Sequence, residues 1–252
     1  MREELAIFAT ALRFFTRLPV PNGIEHTAER FAGAVRYYPV VGLILGAILA
    51  AVWYGLAASF PQPVAAVLIV AFGVLLTGGL HEDGFSDLCD GLGAGGEKER
   101  TLEIMRDSRM GAFGAIGLIL LIGLKIAALA SIPSAVVPMT LLVMHGLSRV
   151  SLLLVLVTSQ PASDRGLGKS VAGEGQGARI AFLAVYAVIF AGLVWIMGGG
   201  IRLLAVALAF AVLHLATRFL YQRRLGGYTG DCLGALQQVG EVSVLLGVLA
   251  WP

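Results

Sequence analysis

The sequence predicts an all-α fold, a polytopic membrane helix bundle of about seven transmembrane helices. An N-terminal amphipathic helix and a cytoplasmic acidic active-site segment complete the expected architecture. Three observations carry this prediction. The chain of 252 residues is 58% hydrophobic and only 13% charged, whereas soluble domains carry about 25% charged residues. Apolar runs long enough to cross a bilayer recur along its whole length. Its lysines and arginines gather at alternate ends of those runs. A water-soluble fold of this size would lack the polar material to cover its surface, and the mean hydropathy of +0.86 agrees. The net charge of +2 is too small to argue for nucleic acid, so lipid is the expected surrounding and no nucleic-acid partner is expected.

The N-terminal stretch to Leu18 is interrupted by Arg2, Glu3, Glu4, Arg13 and Arg17, so no apolar core of a cleaved signal forms. Its apolar residues Leu5, Phe8, Ala9, Leu12, Phe15 and Leu18 recur at helical spacing. They predict a short helix that lies on the membrane surface or packs against the bundle. A spanning helix needs roughly 20 mostly apolar residues. Tyr38–Phe60, Val64–Leu80, Met110–Ile132, Ala135–Ser159, Ile180–Met197 and Ile201–Leu220 meet that need. Leu233–Trp251 is the seventh expected span, although it carries Gln237, Gln238 and Glu241. No internal repeat and no long linker divides the chain, so one integral-membrane catalytic domain over residues 1–252 is expected.

Alternating the spans leaves Pro61–Pro63, Pro133–Ser134 and Gly198–Gly200 at one nearly bare set of ends. The other ends collect fifteen of the eighteen basic residues, all except Lys125, Arg149 and Arg202. The positive-inside rule then puts the N-terminus and the loops at 81–109, 160–179 and 221–230 in the cytoplasm. The acids apart from Glu241 follow the same side, so an enzyme site would face the cytoplasm. Cys89 and Cys232 form neither a CxxC pair nor a disulfide framework and read as reduced packing residues.

The run Thr77-Gly-Gly-Leu-His-Glu-Asp-Gly-Phe-Ser-Asp-Leu-Cys-Asp-Gly91 follows the second expected span. If helical, it sets Asp83, Asp87 and Asp90 at i, i+4 and i+7 on one face, with neighbouring Cβ atoms roughly 5–6 Å apart. Each close pair of charges repels by about 1 kcal/mol in water and about 4 kcal/mol at an effective dielectric near 20. A hard divalent cation removes that repulsion. Oxygen-only ligation favours Mg²⁺, with Mn²⁺ as the alternative, over zinc. Glu82 joins the candidate ligands but points roughly 100° away from the stripe, which suits an outer or exposed role. His81 reads either as a proton carrier or as a structural histidine at the interface.

Glu99 to Arg109 is expected to form the next helix, ending in Met105-Arg-Asp-Ser-Arg-Met-Gly-Ala-Phe-Gly114. Asp107 stands between Arg106 and Arg109 either as an ion-pair partner or as a further ligand or general base, with the arginines on phosphate oxygens. Asp231, in Gly226-Gly-Tyr-Thr-Gly-Asp231, is either a favourable partner for a helix N-terminus or the residue that completes the site. Lys125, His145, Arg149, His214 and Glu241 fall inside expected spans, where ionisable groups face the bundle interior. Arg149 reads as a ligand-facing cation or as the partner of Glu241.

Three of these stretches resemble the cobalamin synthase (adenosylcobinamide-GDP ribazoletransferase) family. They are Gly79-Leu-His-Glu-Asp-Gly-Phe-Ser-Asp-Leu-Cys-Asp-Gly91, Met105-Arg-Asp-Ser-Arg-Met-Gly111 and Gly227-Tyr-Thr-Gly-Asp231. Phe14-Phe-Thr-Arg-Leu-Pro19 and Tyr38-Pro-Val-Val-Gly42 look like that family's N-terminal motifs, and the likeness runs over essentially the whole chain. The resemblance implies a multi-pass enzyme of the bacterial inner membrane. It implies Mg²⁺-dependent joining of adenosylcobinamide-GDP to α-ribazole or its 5′-phosphate, giving adenosylcobalamin or its 5′-phosphate and GMP. Metal on Asp83, Asp87 and Asp90 would bridge the pyrophosphate, while Asp107 or Asp231 positions or deprotonates the attacking hydroxyl. A homo-oligomer is left open.

Asp87-Leu-Cys-Asp90-Gly91 also looks like the opening of the CDP-alcohol phosphotransferase signature, but Leu-Gly-Ala-Gly follows and a second GxxxDxxxD stretch is missing in register. A phospholipid enzyme of that type is therefore the rival reading. A transporter is disfavoured because the carboxylates cluster at one surface and no half-repeats are evident.

Overall fold

The computed structural model describes residues 2–21, 23–25, 27–163 and 176–250. Its elements are helical, in the order α1 (Arg2–Phe15), α2 (Ala28–Ala34), α3 (Tyr38–Ser59), α4 (Gln62–Thr77), α5 (Leu80–Gly93), α6 (Lys98–Met105), α7 (Ala112–Ser131), α8 (Val137–Thr158), α9 (Gln176–Leu225) and α10 (Gly230–Leu249). Five helices are long and apolar enough to cross a membrane, or six if α4 and α5 count together as one bent span. The all-helical membrane bundle expected from composition is therefore what the chain forms. Arg165 and Lys169, counted above among the basic residues, lie outside the described residues, as does Trp251 at the end of the last expected span.

Contacts between helices give the bundle two ends. Trp53, late in α3, donates its indole N–H to the Ser134 carbonyl just before α8, while Gly42, early in α3, meets His145 and Gly146 of α8. The pair is therefore antiparallel, and the lack of side chains at Gly42 and Gly46 lets the two backbones touch. Helix α9 holds 50 residues, about 75 Å of helix against roughly 30 Å of hydrocarbon. Gly198 and Gly199 leave helical geometry at its middle. Tyr186 in its first arm bonds the Arg36 carbonyl before α3, and Arg218 in its second bonds Thr158 at the end of α8. Both arms thus reach the same end of the bundle, and the helix doubles back at the glycines. That end also gathers Arg36, Arg218 and Arg224, the last bonded to the Gly96 carbonyl. It is called the basic end below.

Helices α8 and α10 are the most enclosed of the spans. Their polar side chains explain this, since Ser148, Arg149, Ser151, Gln237, Gln238 and Glu241 are all buried and could not face lipid cheaply. Helix α1 follows the packing alternative for the N-terminus. Ala11 and Phe15 are buried, and Glu3 and Glu4 pair with Arg30 and Arg36. Leu5 on its opposite face stays exposed.

The second expected span, Val64–Leu80, ends earlier than its apolar run suggests. Helix α4 stops at Thr77, and Gly78 and Gly79 follow at φ 72° and 74°. Two consecutive left-handed residues turn the chain through 92° into α5. With 14 residues, about 21 Å, α5 is too short to cross a bilayer by itself; its first turn meets Lys125 and Gln238 in the interior and its last turn meets the head of α7. The helix expected over Glu99–Arg109 is also shorter, because α6 ends at Met105 and the chain runs irregularly to Gly111.

A Cβ at Gly79 meets nothing closer than 3.9 Å, whereas one at Gly78 falls 2.7 Å from the Arg17 side chain. Gly79→Ala is therefore expected to lose only the left-handed preference, about 1–2 kcal/mol. Gly78→Ala should lose a similar amount, because the Arg17 guanidinium it meets is the far end of a flexible side chain that can swing aside, and thermal unfolding in detergent would compare the two.

Candidate active site

The acidic run forms α5, so Asp83, Asp87 and Asp90 do share one helical face. Their surroundings differ. Asp90 is buried, and its carboxylate accepts hydrogen bonds from the Gly111 and Gly114 amides at 2.7 and 2.8 Å. It sits where a Cβ on either glycine would stand. This carboxylate caps α7 from outside and meets the positive end of its dipole. Asp83 is exposed and Asp87 half-exposed.

Asp231 comes from the start of α10, where Thr229 caps the helix through the Cys232 amide and donates to the Asp231 carboxylate at 3.3 Å. Gly84 of α5 lies against the Asp231 backbone, where a Cβ would come within 3.0 Å. The missing side chain is what brings Asp83 and Asp231 to the lip of one cavity. Burial, followed by the charges of Asp83, Asp231 and Asp90, pushes the Asp87 carboxyl up to about 7. Arg106 is near enough for its charge to act on Asp231.

The remaining expected residues have partners of their own. Glu82 faces the bundle interior, accepting from Gln238 at 2.9 Å with the Lys125 ammonium 3.8 Å away. Asp107 and Arg109 form a local, solvent-facing pair at 2.6 Å, in which Asp107 also accepts from the Arg109 amide. Those bonds from Arg109 hold the Asp107 carboxyl down at about 2, a poor base at neutral pH. Glu241 does not pair with Arg149. It is held instead by Lys125 at 2.5 Å and by His145 at 2.8 Å. Arg149 bonds the His145 carbonyl and lies over the Phe15 ring, 5.4 Å from its centre. His81 is buried and stacked on Phe15.

Among the described residues, no three histidine, cysteine, aspartate or glutamate side chains converge closely enough to hold one metal ion. The donor set still fits Mg²⁺. That ion is commonly bound by one or two carboxylates plus water and substrate phosphate, without a full protein cage. Adjacent carboxylates with a raised pKa at Asp87 are a place where a dication relieves repulsion.

Two features of this region escaped sequence reasoning. One is the capping role of Asp90, whose only trace is the glycine at each end of Gly111-Ala-Phe-Gly114. The other is an aromatic cavity beside the acids, built from residues far apart in the chain.

A family model described as cobalamin-5-phosphate synthase matches residues 7–249. A relative from Leptothrix cholodnii named adenosylcobinamide-GDP ribazoletransferase is 40% identical, covering 98% of this chain and 96% of its own. A relative of the same name from Roseiflexus is 42% identical over 93% of this chain and 86% of its own. One from Vibrio parahaemolyticus, again so named, is 36% identical over 100% and 94%. No solved structure matches the chain.

Asp90→Ala removes both acceptors at the head of α7. It should lower stability by roughly 2–3 kcal/mol, the scale of hydrogen bonds to a charged group. Asp87→Asn should do the reverse and raise the metal-free melting temperature by a few degrees. Its carboxyl titrates higher in the fold than in the unfolded chain. The cost of ionising it is therefore complete above pH 7 and disappears as pH falls toward 4. Melting curves at pH 8 and pH 5 would reveal a gain at the first and little at the second.

Proposed function

The chain belongs to the cobalamin-5-phosphate synthase family, and on that footing we propose that it is an adenosylcobinamide-GDP ribazoletransferase. It joins adenosylcobinamide-GDP to α-ribazole or its 5′-phosphate and releases GMP, a late step in assembling the cobalamin nucleotide loop. The observation that carries this reading is the meeting of Asp83 and Asp87 from α5 with Asp231 from α10, beside Arg106, at the basic end of a membrane bundle.

Under this proposal a ribose hydroxyl oxygen forms a bond to the cobinamide-side phosphorus. The bond from that phosphorus to the GMP oxygen breaks, and GMP leaves with the electron pair. Asp83 and Asp87 would hold Mg²⁺, which when bound supplies positive charge to the pyrophosphate oxygens. Asp231 faces them across the α5–α10 contact and accepts the hydrogen bond of the attacking hydroxyl, orienting it and taking up its proton. Arg106 and Arg109 offer guanidinium donors to phosphate oxygens, with Asp107 steadying Arg109. Asp90 acts through α7, and Glu82 through the interior network it joins.

The doubled-back α9 and the α4 segment bring the crossings to seven in this reading. The basic residues gathered at that end of the bundle support a site at the cytoplasmic face of a bacterial inner membrane.

Purified protein in detergent, given adenosylcobinamide-GDP, α-ribazole and Mg²⁺, is expected to release GMP and form the coupled product. EDTA should stop the reaction and Mn²⁺ restore part of it. Asp83→Asn and Asp87→Asn should each lower kcat at least about 100-fold, the scale of losing a principal electrostatic contributor. Full turnover in these variants would end the assignment. Release of CMP from a CDP-alcohol, with no GMP formed, would move the chain to the phospholipid reading. For orientation, a cysteine at Ser134 should label only from outside intact spheroplasts and one at Arg109 only after lysis.

A further inference from the structure

The cavity whose lip carries Asp83 and Asp231 runs inward between α1, α2, α5, α8 and α10. Its volume is about 180 Å³. An apolar cavity of roughly 150 Å³ takes up one benzene, so this one suits a somewhat larger fused ring. Its wall is a continuous run of aromatic side chains. Phe31 meets Phe14 edge-on at 4.9 Å, Phe14 meets Phe15 at 4.8 Å, and Phe15 meets Tyr38 at 4.5 Å. Leu156 and Leu233 close the other side.

Besides the Tyr38 hydroxyl and the carboxylates of Asp83 and Asp231, the polar group in this lining is the imidazole of His81. His81 is 2% exposed, borders the cavity, and has no hydrogen-bond partner on either ring nitrogen. A buried imidazole with two idle nitrogens is costly, and its ring is held in place by stacking on Phe15 at 5.3 Å. The cavity thus offers an aromatic wall, the unpartnered nitrogens of a buried imidazole, and carboxylates at its mouth.

We propose that this cavity is the subsite for the aromatic base of the acceptor nucleoside. The base is a benzimidazole, with its ring along the Phe14–Phe15–Phe31 wall and its unsubstituted ring nitrogen accepting from His81. This inference rests on the reading of the chain as a ribazoletransferase. The order of groups from depth to mouth fits a nucleoside. The planar base lies inside, the ribose follows, and its hydroxyls emerge between Asp83 and Asp231, where phosphoryl transfer would occur. The corrinoid and guanine of the other substrate then approach from the open side, so the two substrates occupy separable surfaces.

The test uses the full chain in lipid nanodiscs. Leu233→Trp fills the cavity, and Phe31→Ala opens its wall. Each is expected to raise KM for α-ribazole at least tenfold while leaving KM for adenosylcobinamide-GDP within twofold. Equal shifts in both constants, or no shift in either, would overturn the subsite. If Leu233→Trp fails to elute as a folded monodisperse particle, Phe31→Ala gives the same reading alone.

Direct binding of benzimidazole, followed by its own fluorescence, separates the two levels of the argument. If the wild-type protein forms no GMP but binds benzimidazole saturably, and Leu233→Trp or His81→Phe abolishes that binding, the functional reading fails and the subsite stands. If GMP is formed but benzimidazole neither binds saturably nor competes with α-ribazole, the subsite fails and the functional reading stands.

Discussion

Glu241 is the charge around which the bundle is organised. It is buried within α10 and takes Lys125 from α7 at 2.5 Å, His145 from α8 at 2.8 Å and its own neighbour Gln237 at 2.6 Å. In a low-dielectric interior an unpaired carboxylate is not tolerated, and removing one partner of a buried pair costs about 3–5 kcal/mol. Three spans are thereby tied in one register. Gln238, the next residue, bonds both Lys125 and Glu82, and so carries the network into α5.

Helix α5 is therefore anchored twice by acids that turn toward neighbouring helices. Glu82 holds its first turn to the interior network, and Asp90 holds its last turn to the amides of α7. Between these anchors, among the described residues, Asp83 and Asp87 have no protein hydrogen-bond donors of their own, and they stand next to Asp231. A helix pinned at both ends cannot rotate to relieve the repulsion between those carboxylates, which is the condition in which a bound cation contributes most. Burial of half the acids serves to keep the other half presented.

The N-terminal helices stand in a similar relation to the aromatic cavity. Helix α1 belongs to no candidate span and α2 leads straight into α3, and their Phe14, Phe15 and Phe31 form its wall, while Arg149 from the middle of α8 lies over Phe15. The pairs Glu3–Arg30 and Glu4–Arg36 hold them on the basic end. Being partly exposed, these pairs contribute little energy, so the aromatic contacts carry most of the attachment.

Composition alone determined that this chain is a membrane helix bundle, because too few charged residues exist to cover a soluble surface. Periodicity determined the acidic stripe, since residues at i, i+4 and i+7 share a face wherever a helix forms. The glycines at 198–200 were legible as the connection at which the chain doubles back, but not the 92° turn at Gly78–Gly79, because the apolar run that reads as the second span continues through both glycines to Leu80. Only the tertiary structure separated the acids by role. Asp90 became a cap and Glu82 an interior anchor because of what α7 and α10 place beside them. The partners of Glu241 were likewise beyond the sequence, which singled out Arg149 where the structure brings Lys125 and His145. Packing chose between them, since a buried charge is satisfied by whichever partner the neighbouring helices bring within hydrogen-bond distance.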